Sequence, residues 1–171
     1  MKTTLLFILS TITFILSLFF LIPWLFGAPF EGTRKKVVKE IVKISKVKKG
    51  DKVIELGSGD GRIVIEFAKK GAIVEGFEIN PILVWLSRRK IKKENLQDKA
   101  KIHWKNFWKV NFSKYDIIVL FQFQTIMKRL ENKIKREAKK NVKIISNTWK
   151  FPSLKLKKEV GKIRLYGINY N

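Results

Sequence analysis

Ten residues, Lys52 to Gly61 (KVIELGSGDG), constrain this chain more than any others. Val53, Ile54 and Leu56 form a short apolar run with β-branched side chains, the pattern of a strand buried on both faces of a parallel sheet. Glycines then stand at every second position: Gly57, Gly59 and Gly61. Such a turn reaches backbone conformations closed to other residues and lets a ligand approach the main chain with no Cβ in between. An apolar run, Ile63 to Ala68, comes next with helix formers after it. Strand, glycine turn and helix in that order predict a ligand-binding corner of an open α/β sheet.

The spacing narrows the ligand. The turn reads G-x-G-x-G with an acid, Glu55, two residues before it. It departs from the G-x-G-x-x-G dinucleotide fingerprint and lacks the Gly-Lys-Ser/Thr of a phosphate loop. A second strand, Ile73 to Phe77, leads into Glu78, which lies 78 − 57 = 21 positions after the first glycine. A carboxylate at that distance can accept hydrogen bonds from both ribose hydroxyls. A ribose with no demand for a pyrophosphate site suits S-adenosyl-L-methionine.

VIELGSGDGR followed by GFEINP resembles motif I and the succeeding acidic motif of class I S-adenosylmethionine-dependent methyltransferases. The resemblance implies a Rossmann-like α/β fold with a seven-stranded sheet. It also implies a cofactor site. Gly57, Ser58, Gly59, Asp60 and Gly61 would hold the methionine part, with Glu55 near its amino group. Glu78 would hold the ribose, and Asn106 and Phe107 would flank the adenine. Thr33 would reach the methionine carboxylate from a linker.

Composition sets further bounds. Of 171 residues, the first thirty are compositionally distinct, which leaves about 140 for a globular core. The chain has no cysteine and one histidine. That excludes disulfides, thiolate metal sites and methylation of pyrimidine C5 through a cysteine adduct, and no metal is expected. The 37 Lys+Arg against 14 Asp+Glu give a formal net charge of +23, a field that attracts anionic surfaces.

No charged residue occurs from Thr3 to Phe30. As a helix, Leu5 to Phe26 would span about 33 Å, enough for a bilayer. Pro23 and Trp24 mark its far end, where a tryptophan suits the membrane interface. The expectation is an uncleaved transmembrane anchor over residues 1–28 and a methyltransferase domain over 29–171. Lys2 faces Arg34, Lys35, Lys36 and Lys39 across the segment, so the positive-inside rule predicts a single-pass membrane protein with a cytoplasmic catalytic domain. The basic flank is expected to rest on anionic lipid.

Further along, Pro29 to Thr33 reads as a linker and Lys35 to Ser45 as a helix. Asn80-Pro81 opens another helix, with Ile82, Leu83, Trp85, Leu86 and Ile91 expected inside and Arg88 to Lys93 as a solvated cationic end. Ala100 to Trp104 reads as a third strand, with His103 structural. Tyr115 to Phe121 is a fourth strand, Thr125 to Lys140 a helix and Val142 to Ser146 a fifth strand. Leu154 to Glu159 and Lys162 to Ile168 form an antiparallel hairpin around Gly161.

The membrane segment, a Pro-Phe linker, LGSGDGRIVIEFAKKGA and GFEINPILV together resemble one narrower family. It includes the mitochondrial lysine methyltransferases acting on the ATP synthase c subunit and the adenine nucleotide translocase, with archaeal relatives. NFWKVNFSKYDIIVLF, the Leu130-Glu131-Asn132-Lys133 helix and the S-x-x-x-x-F-P stretch from Ser146 extend the resemblance. It implies a protein-lysine N-methyltransferase acting on a membrane or membrane-associated protein. Phe121, Gln122, Phe123, Asn147, Trp149 and Phe151 are the candidates for an apolar slot in which a lysine sheds its charge, since desolvation lowers its pKa. No side chain presents itself as an obligatory general base. Three rival readings stay open. A nucleic-acid methyltransferase is favoured by charge, but the Asn/Asp-Pro-Pro-aromatic signature is missing where the chain reads FQFQT. The others are a methyltransferase for a lipid or quinone, and a non-catalytic membrane-tethered module that keeps the cofactor fold.

Overall fold

The computed structural model describes the backbone of residues 2–26 and 32–168 and the side chains of residues 2–17 and 32–168. In chain order the elements are α1 (Lys2–Phe26), α2 (Lys35–Ser45), β1 (Lys52–Leu56), α3 (Arg62–Lys69), β2 (Ile73–Glu78), α4 (Pro81–Lys93) and β3 (Ala100–Trp104). A 3₁₀ turn (Phe107–Lys109) precedes β4 (Ile117–Leu120), α5 (Gln124–Glu137), β5 (Lys143–Asn147), β6 (Lys155–Val160) and β7 (Ile163–Gly167). The strands form one seven-stranded sheet in the order β3-β2-β1-β4-β5-β7-β6. β1 to β5 run parallel, and β7 lies antiparallel between β5 and β6. This is the class I methyltransferase sheet, and the closing hairpin is the expected one.

Each face of the sheet carries its own core. On one side α2, α3 and α4 pack Val38, Ile41, Val64, Phe67, Val84 and Ile91 against Val53, Val74, Ile102 and Val119. On the other, α5 sets Met127, Leu130 and Ile134 over Ile54, Leu56, Ile118 and Ile144, joined by Phe112 and Tyr115. Successive strand residues point to opposite faces, so a strand buried twice reads as a continuous apolar run. From β1 the chain steps outward to β2 and β3, then returns to place β4 on the other flank of β1. Ligands in open α/β sheets bind at such a reversal, beyond the carboxyl ends of the strands.

The phase of α4 differs from the expected one. Its buried residues are Val84, Ser87 and Ile91, while Ile82, Trp85 and Leu86 are exposed and Arg89 lies over the Trp85 ring at 4.7 Å. The cause is a close approach. A Cβ on Gly61 would stand 2.7 Å from the Ser87 Cβ, so the side chain facing the glycine turn has to be small. Turning Ser87 inward carries Val84 and Ile91 with it, at helical spacing, and turns Trp85 out. Nor is Arg88 to Lys93 merely solvated: Arg88 donates to the Ile102 carbonyl and Lys90 pairs with Asp60.

The N-terminal expectation is corrected. Among the described residues no helix is long and apolar enough to cross a membrane. Within α1 the hydroxyls of Thr3, Thr4, Ser10, Thr11, Thr13 and Ser17 interrupt the apolar run. This overturns the single-pass anchor, and with it the orientation that put a catalytic domain in the cytoplasm. The first part of the expected Pro29 to Thr33 linker, residues 29–31, and the interfacial placement of Pro23 and Trp24 lie outside the described residues and side chains.

Candidate active site

The turn after β1 is built as its glycines require. Gly57, Gly59 and Gly61 have φ of 78°, 53° and 79°, in the left-handed region that disfavours any Cβ. The N–H groups of Gly57 and Ser58 both donate to the Phe77 carbonyl, at 2.9 and 3.0 Å, which ties the turn to the end of β2. Ser58 sits directly on Gly76, where a Cβ would come within 2.7 Å of the serine Cβ.

Glu78 closes this corner. Its Oε2 accepts the Gly59 N–H at 2.9 Å, and its Oε1 accepts the N–H groups of Ile79 and Asn80 at 2.8 and 2.9 Å. Three backbone donors therefore fix the carboxylate at the carboxyl end of β2 before any ligand arrives. Asn80 caps α4 by accepting the Ile82 and Leu83 N–H groups, with Pro81 at the first helical position.

Two buried polar atoms at this corner have no hydrogen-bond partner among the described residues: Glu55 Oε2 on β1 and Ser58 Oγ in the turn. A buried oxygen without a partner carries a desolvation penalty of about 1–3 kcal/mol. Burial pushes the Glu55 carboxyl well above the usual carboxylate range. The Val64 N–H and Arg62 pull it down, and the nearby Asp60 and Glu78 carboxylates push it further up.

Asp60 has the opposite character. Burial works to raise its pKa, but hydrogen bonds from Arg62 and Lys90 prevail and hold it at about 2. Arg62 donates Nε to Oδ1 at 2.8 Å and Nη2 to Oδ2 at 2.7 Å, a bidentate pair. Its Nη1 donates to the Thr33 carbonyl at 2.7 Å. One guanidinium thus ties the segment before α2 to the glycine turn, and it brings buried Thr33 to the site.

The remaining candidates divide into two groups. Gln122, after β4, is buried and donates Nε2 to the Leu56 carbonyl at 2.8 Å, which lays its amide over Gly57. β4 ends at Leu120, so Phe121, Gln122 and Phe123 belong to the loop at the switch point, where Phe121 and Phe123 are half-buried. Asn147 ends β5 on the same edge and is buried, with Trp149 half-buried beyond it. Phe151 is buried in the core, edge-on against Tyr166 at 5.3 Å. On the other flank the Lys105 N–H donates to the Glu78 carbonyl and brings Asn106 beside the acid. The Asn106 Oδ1 already accepts the Trp108 N–H at 3.0 Å, and Phe107 is buried in the core.

Sequence reasoning missed Arg62, Lys90, Glu131 and Arg164, each a charged residue in a segment that reads as solvated helix or hairpin. The one available signal was an acid or base at a position where helical or strand periodicity calls for an apolar side chain, as at Glu131 among Met127, Leu130 and Ile134. Among the described residues no group of three or more His, Cys, Asp or Glu side chains is placed to hold a metal. A shallow cavity of about 460 Å³, lined by Lys39, Lys43, Lys46, Glu66 and Lys70, lies between α2 and α3, away from the glycine turn.

Comparison with known proteins agrees with this geometry. The chain is 39% identical over 124 residues to the ATP synthase c subunit lysine N-methyltransferase of Homo sapiens, covering 72% of this chain and 53% of that protein. It is 31% identical to a protein-lysine N-methyltransferase of Saccharolobus islandicus (strain REY15A), covering 70% and 75%. The chain spans about half the length of the vertebrate ATP synthase c subunit lysine N-methyltransferases it matches. Among solved structures, an RNA methyltransferase from Salinibacter ruber in complex with S-adenosyl-L-homocysteine superposes with a TM-score of 0.75 at 23% identity, over 81% of this chain and 92% of that one. A SAM-dependent methyltransferase from Thiobacillus denitrificans, also with S-adenosyl-L-homocysteine, gives 0.60 at 13%, over 75% and 52%. At these identities the two structures speak for the fold alone. Residues 55–158 match the model of the ANTKMT methyltransferase domain, and the chain belongs to that family.

Proposed function

We propose that this chain is an S-adenosylmethionine-dependent protein-lysine N-methyltransferase whose target is a membrane or membrane-associated protein. The catalytic unit in this reading is residues 29–171, with residues 1–28 a separate N-terminal segment. The observation that carries the cofactor assignment is a pair of buried oxygens with no hydrogen-bond partner among the described residues, Glu55 Oε2 near the end of β1 and Ser58 Oγ in the turn of left-handed glycines. Donors and acceptors of a bound amino acid moiety would complete them. The lysine substrate is supported by the names of the relatives on both the human and the archaeal side.

S-adenosyl-L-methionine supplies, when bound, a methyl carbon on a sulfonium leaving group. The chain's own residues have three tasks. Gly57 to Gly61 offer backbone to the methionine part, Glu55 its carboxyl to the amino group and Thr33 its hydroxyl to the carboxylate. Glu78, already oriented by three N–H groups, accepts from the ribose hydroxyls. Asn106 and Phe107 border the adenine.

Phe121, Gln122, Phe123, Asn147 and Trp149 would form the lysine slot, with Phe151 behind it. Half-buried aromatic walls exclude water, and exclusion of water favours the neutral amine over the ammonium. The proton leaves the lysine Nζ for solvent on entry, so no side-chain base is required. The amide oxygens of Gln122 and Asn147 are suited to orient the amine.

The test is methyl transfer from labelled S-adenosylmethionine to the purified c subunit of ATP synthase, with bulk RNA as the alternative acceptor. Label on a lysine of the protein is the expected result. Label on RNA alone, or on neither while the cofactor is bound, would overturn it.

A further inference from the structure

The segment from Thr148 to Ser153 follows β5 at the ligand edge of the sheet. It has no secondary structure, yet it is held along its whole length. Three consecutive carbonyls are each taken by a side chain from elsewhere. Arg164 Nη1, on β7, donates to the Thr148 oxygen at 2.7 Å. Ser146 Oγ, on β5, donates to the Trp149 oxygen at 2.6 Å. Gln124 Nε2, opening α5, donates to the Lys150 oxygen at 3.3 Å.

The far end is fastened as well. Glu131 is fully buried on α5 and accepts both the Ser153 N–H, at 2.9 Å, and the Ser153 hydroxyl. Lys135 completes the group, 3.0 Å from Glu131 Oε1 and 2.8 Å from Ser153 Oγ. Burial alone would raise the Glu131 carboxyl; the Ser153 and Lys135 donors bring it below the usual carboxylate range, so it is ionised and its bonds are charge-assisted.

The near end stores strain. Thr148 has φ of 72°, and for a β-branched residue that conformation is an outlier. It persists because its N–H donates to the Lys162 carbonyl and its own carbonyl is taken by Arg164. Arg164 is buried in turn and paired through Nη2 with Glu159 at 2.7 Å. An over-determined outlier of this kind belongs with sites whose geometry has to be held before the ligand arrives.

We infer that residues 148–153 form a pre-set wall for the substrate lysine, with Arg164 and Glu131 as the positioning residues that hold its two ends. This rests on the lysine slot proposed above and adds how its Trp149 side is kept in place. Neither positioning residue touches substrate. Each acts through the loop backbone, which sets where the Trp149 ring and the Asn147 amide stand. A wall already ordered costs a substrate little further ordering, so loosening it weakens turnover and leaves cofactor binding alone.

The experiment uses the full chain with Glu131→Gln, Arg164→Lys and the milder Ser153→Ala, which keeps the protein folded should the buried changes not. Three quantities are measured for each: hydrogen exchange over residues 147–154, affinity for S-adenosyl-L-homocysteine by calorimetry, and kcat and KM on the purified c subunit of ATP synthase. The expected result is exchange at least tenfold faster across the loop, S-adenosyl-L-homocysteine affinity within twofold of wild type, and kcat/KM at least tenfold lower. For Ser153→Ala the same pattern is expected at about threefold. Unchanged exchange would show that these residues do not hold the loop. Faster exchange with unchanged kcat/KM would show that its order is not used. Loss of S-adenosyl-L-homocysteine affinity would move the role to the cofactor cradle. Each of these overturns the inference alone. A wild-type protein that binds S-adenosyl-L-homocysteine but methylates no lysine overturns the lysine reading and this inference together.

Discussion

Ser87 lies against Gly61 so closely that a Cβ on the glycine would stand 2.7 Å from the serine Cβ. The contact joins α4 to the glycine turn, and it sets both the rotation of that helix and the room left at the turn. Gly61 also has φ of 79°. Gly61→Ala therefore meets two penalties, about 1–2 kcal/mol for an L-residue in the left-handed region and a further 1–3 kcal/mol for overpacking. A loss of about 2–5 kcal/mol in denaturant unfolding is expected, with loss of S-adenosyl-L-homocysteine binding. At Gly57 the obstacle is the Gln122 amide, the end of a flexible side chain, so Gly57→Ala should unfold less readily than Gly61→Ala while also losing cofactor.

The exposed face of α4 gives a second expectation. Ile82 is 55% exposed, whereas Ile91 is 3% exposed. Ile82→Ser should change stability by no more than about 0.5 kcal/mol, and Ile91→Ala should cost about 2–4 kcal/mol. Urea denaturation of both variants checks the helix phase directly. Equal costs would restore the phase expected from apolar spacing.

Asp60 should make stability acid-sensitive. Its folded pKa of about 2 lies below the ordinary carboxylate value, so its stabilising contribution is present above pH about 4 and is lost as pH falls through about 2. The partners Arg62 and Lys90 are partly exposed, which screens the pair. Asp60→Asn is expected to lose about 1–2 kcal/mol at pH 7 and nearly nothing at pH 2. Denaturant titrations at the two values test it.

Glu55 should behave in the reverse sense. Its folded pKa is raised, so its contribution is complete at low pH and declines as pH rises from the ordinary carboxylate value towards the folded one. Glu55→Gln should therefore gain stability relative to wild type between pH 5 and pH 8, since the amide has no charge to bury. The same variant should bind S-adenosyl-L-homocysteine at least tenfold more weakly, because the carboxylate that meets the ligand amino group is gone. Tighter or unchanged binding would remove Glu55 from the site.

Much of the fold was legible because it depends on short-range patterns. Apolar runs with β-branched residues mark β1 and β4, and glycines at alternate positions can serve little but a tight ligand-binding turn. An acid 21 positions after Gly57 belongs at the end of the neighbouring strand (78 − 57 = 21). β3 falls at Ala100–Trp104 as expected, and Glu55, Gly57, Gly59 and Glu78 are found together. The N-terminal anchor was read from hydropathy in the same manner, and the described residues do not sustain it.

What the amino-acid order alone determined was therefore the sheet, the glycine turn and the acids that flank it, since neighbours along the chain specify these. Tertiary structure decided the rest. The rotation of α4 depends on Ser87 meeting a glycine 26 residues earlier in the chain (87 − 61 = 26), and the loop after β5 depends on Arg164 and Glu131 from two other elements. No periodicity records such contacts, because a charged side chain in a helix or hairpin looks solvated until the partner it pairs with is brought beside it by the fold.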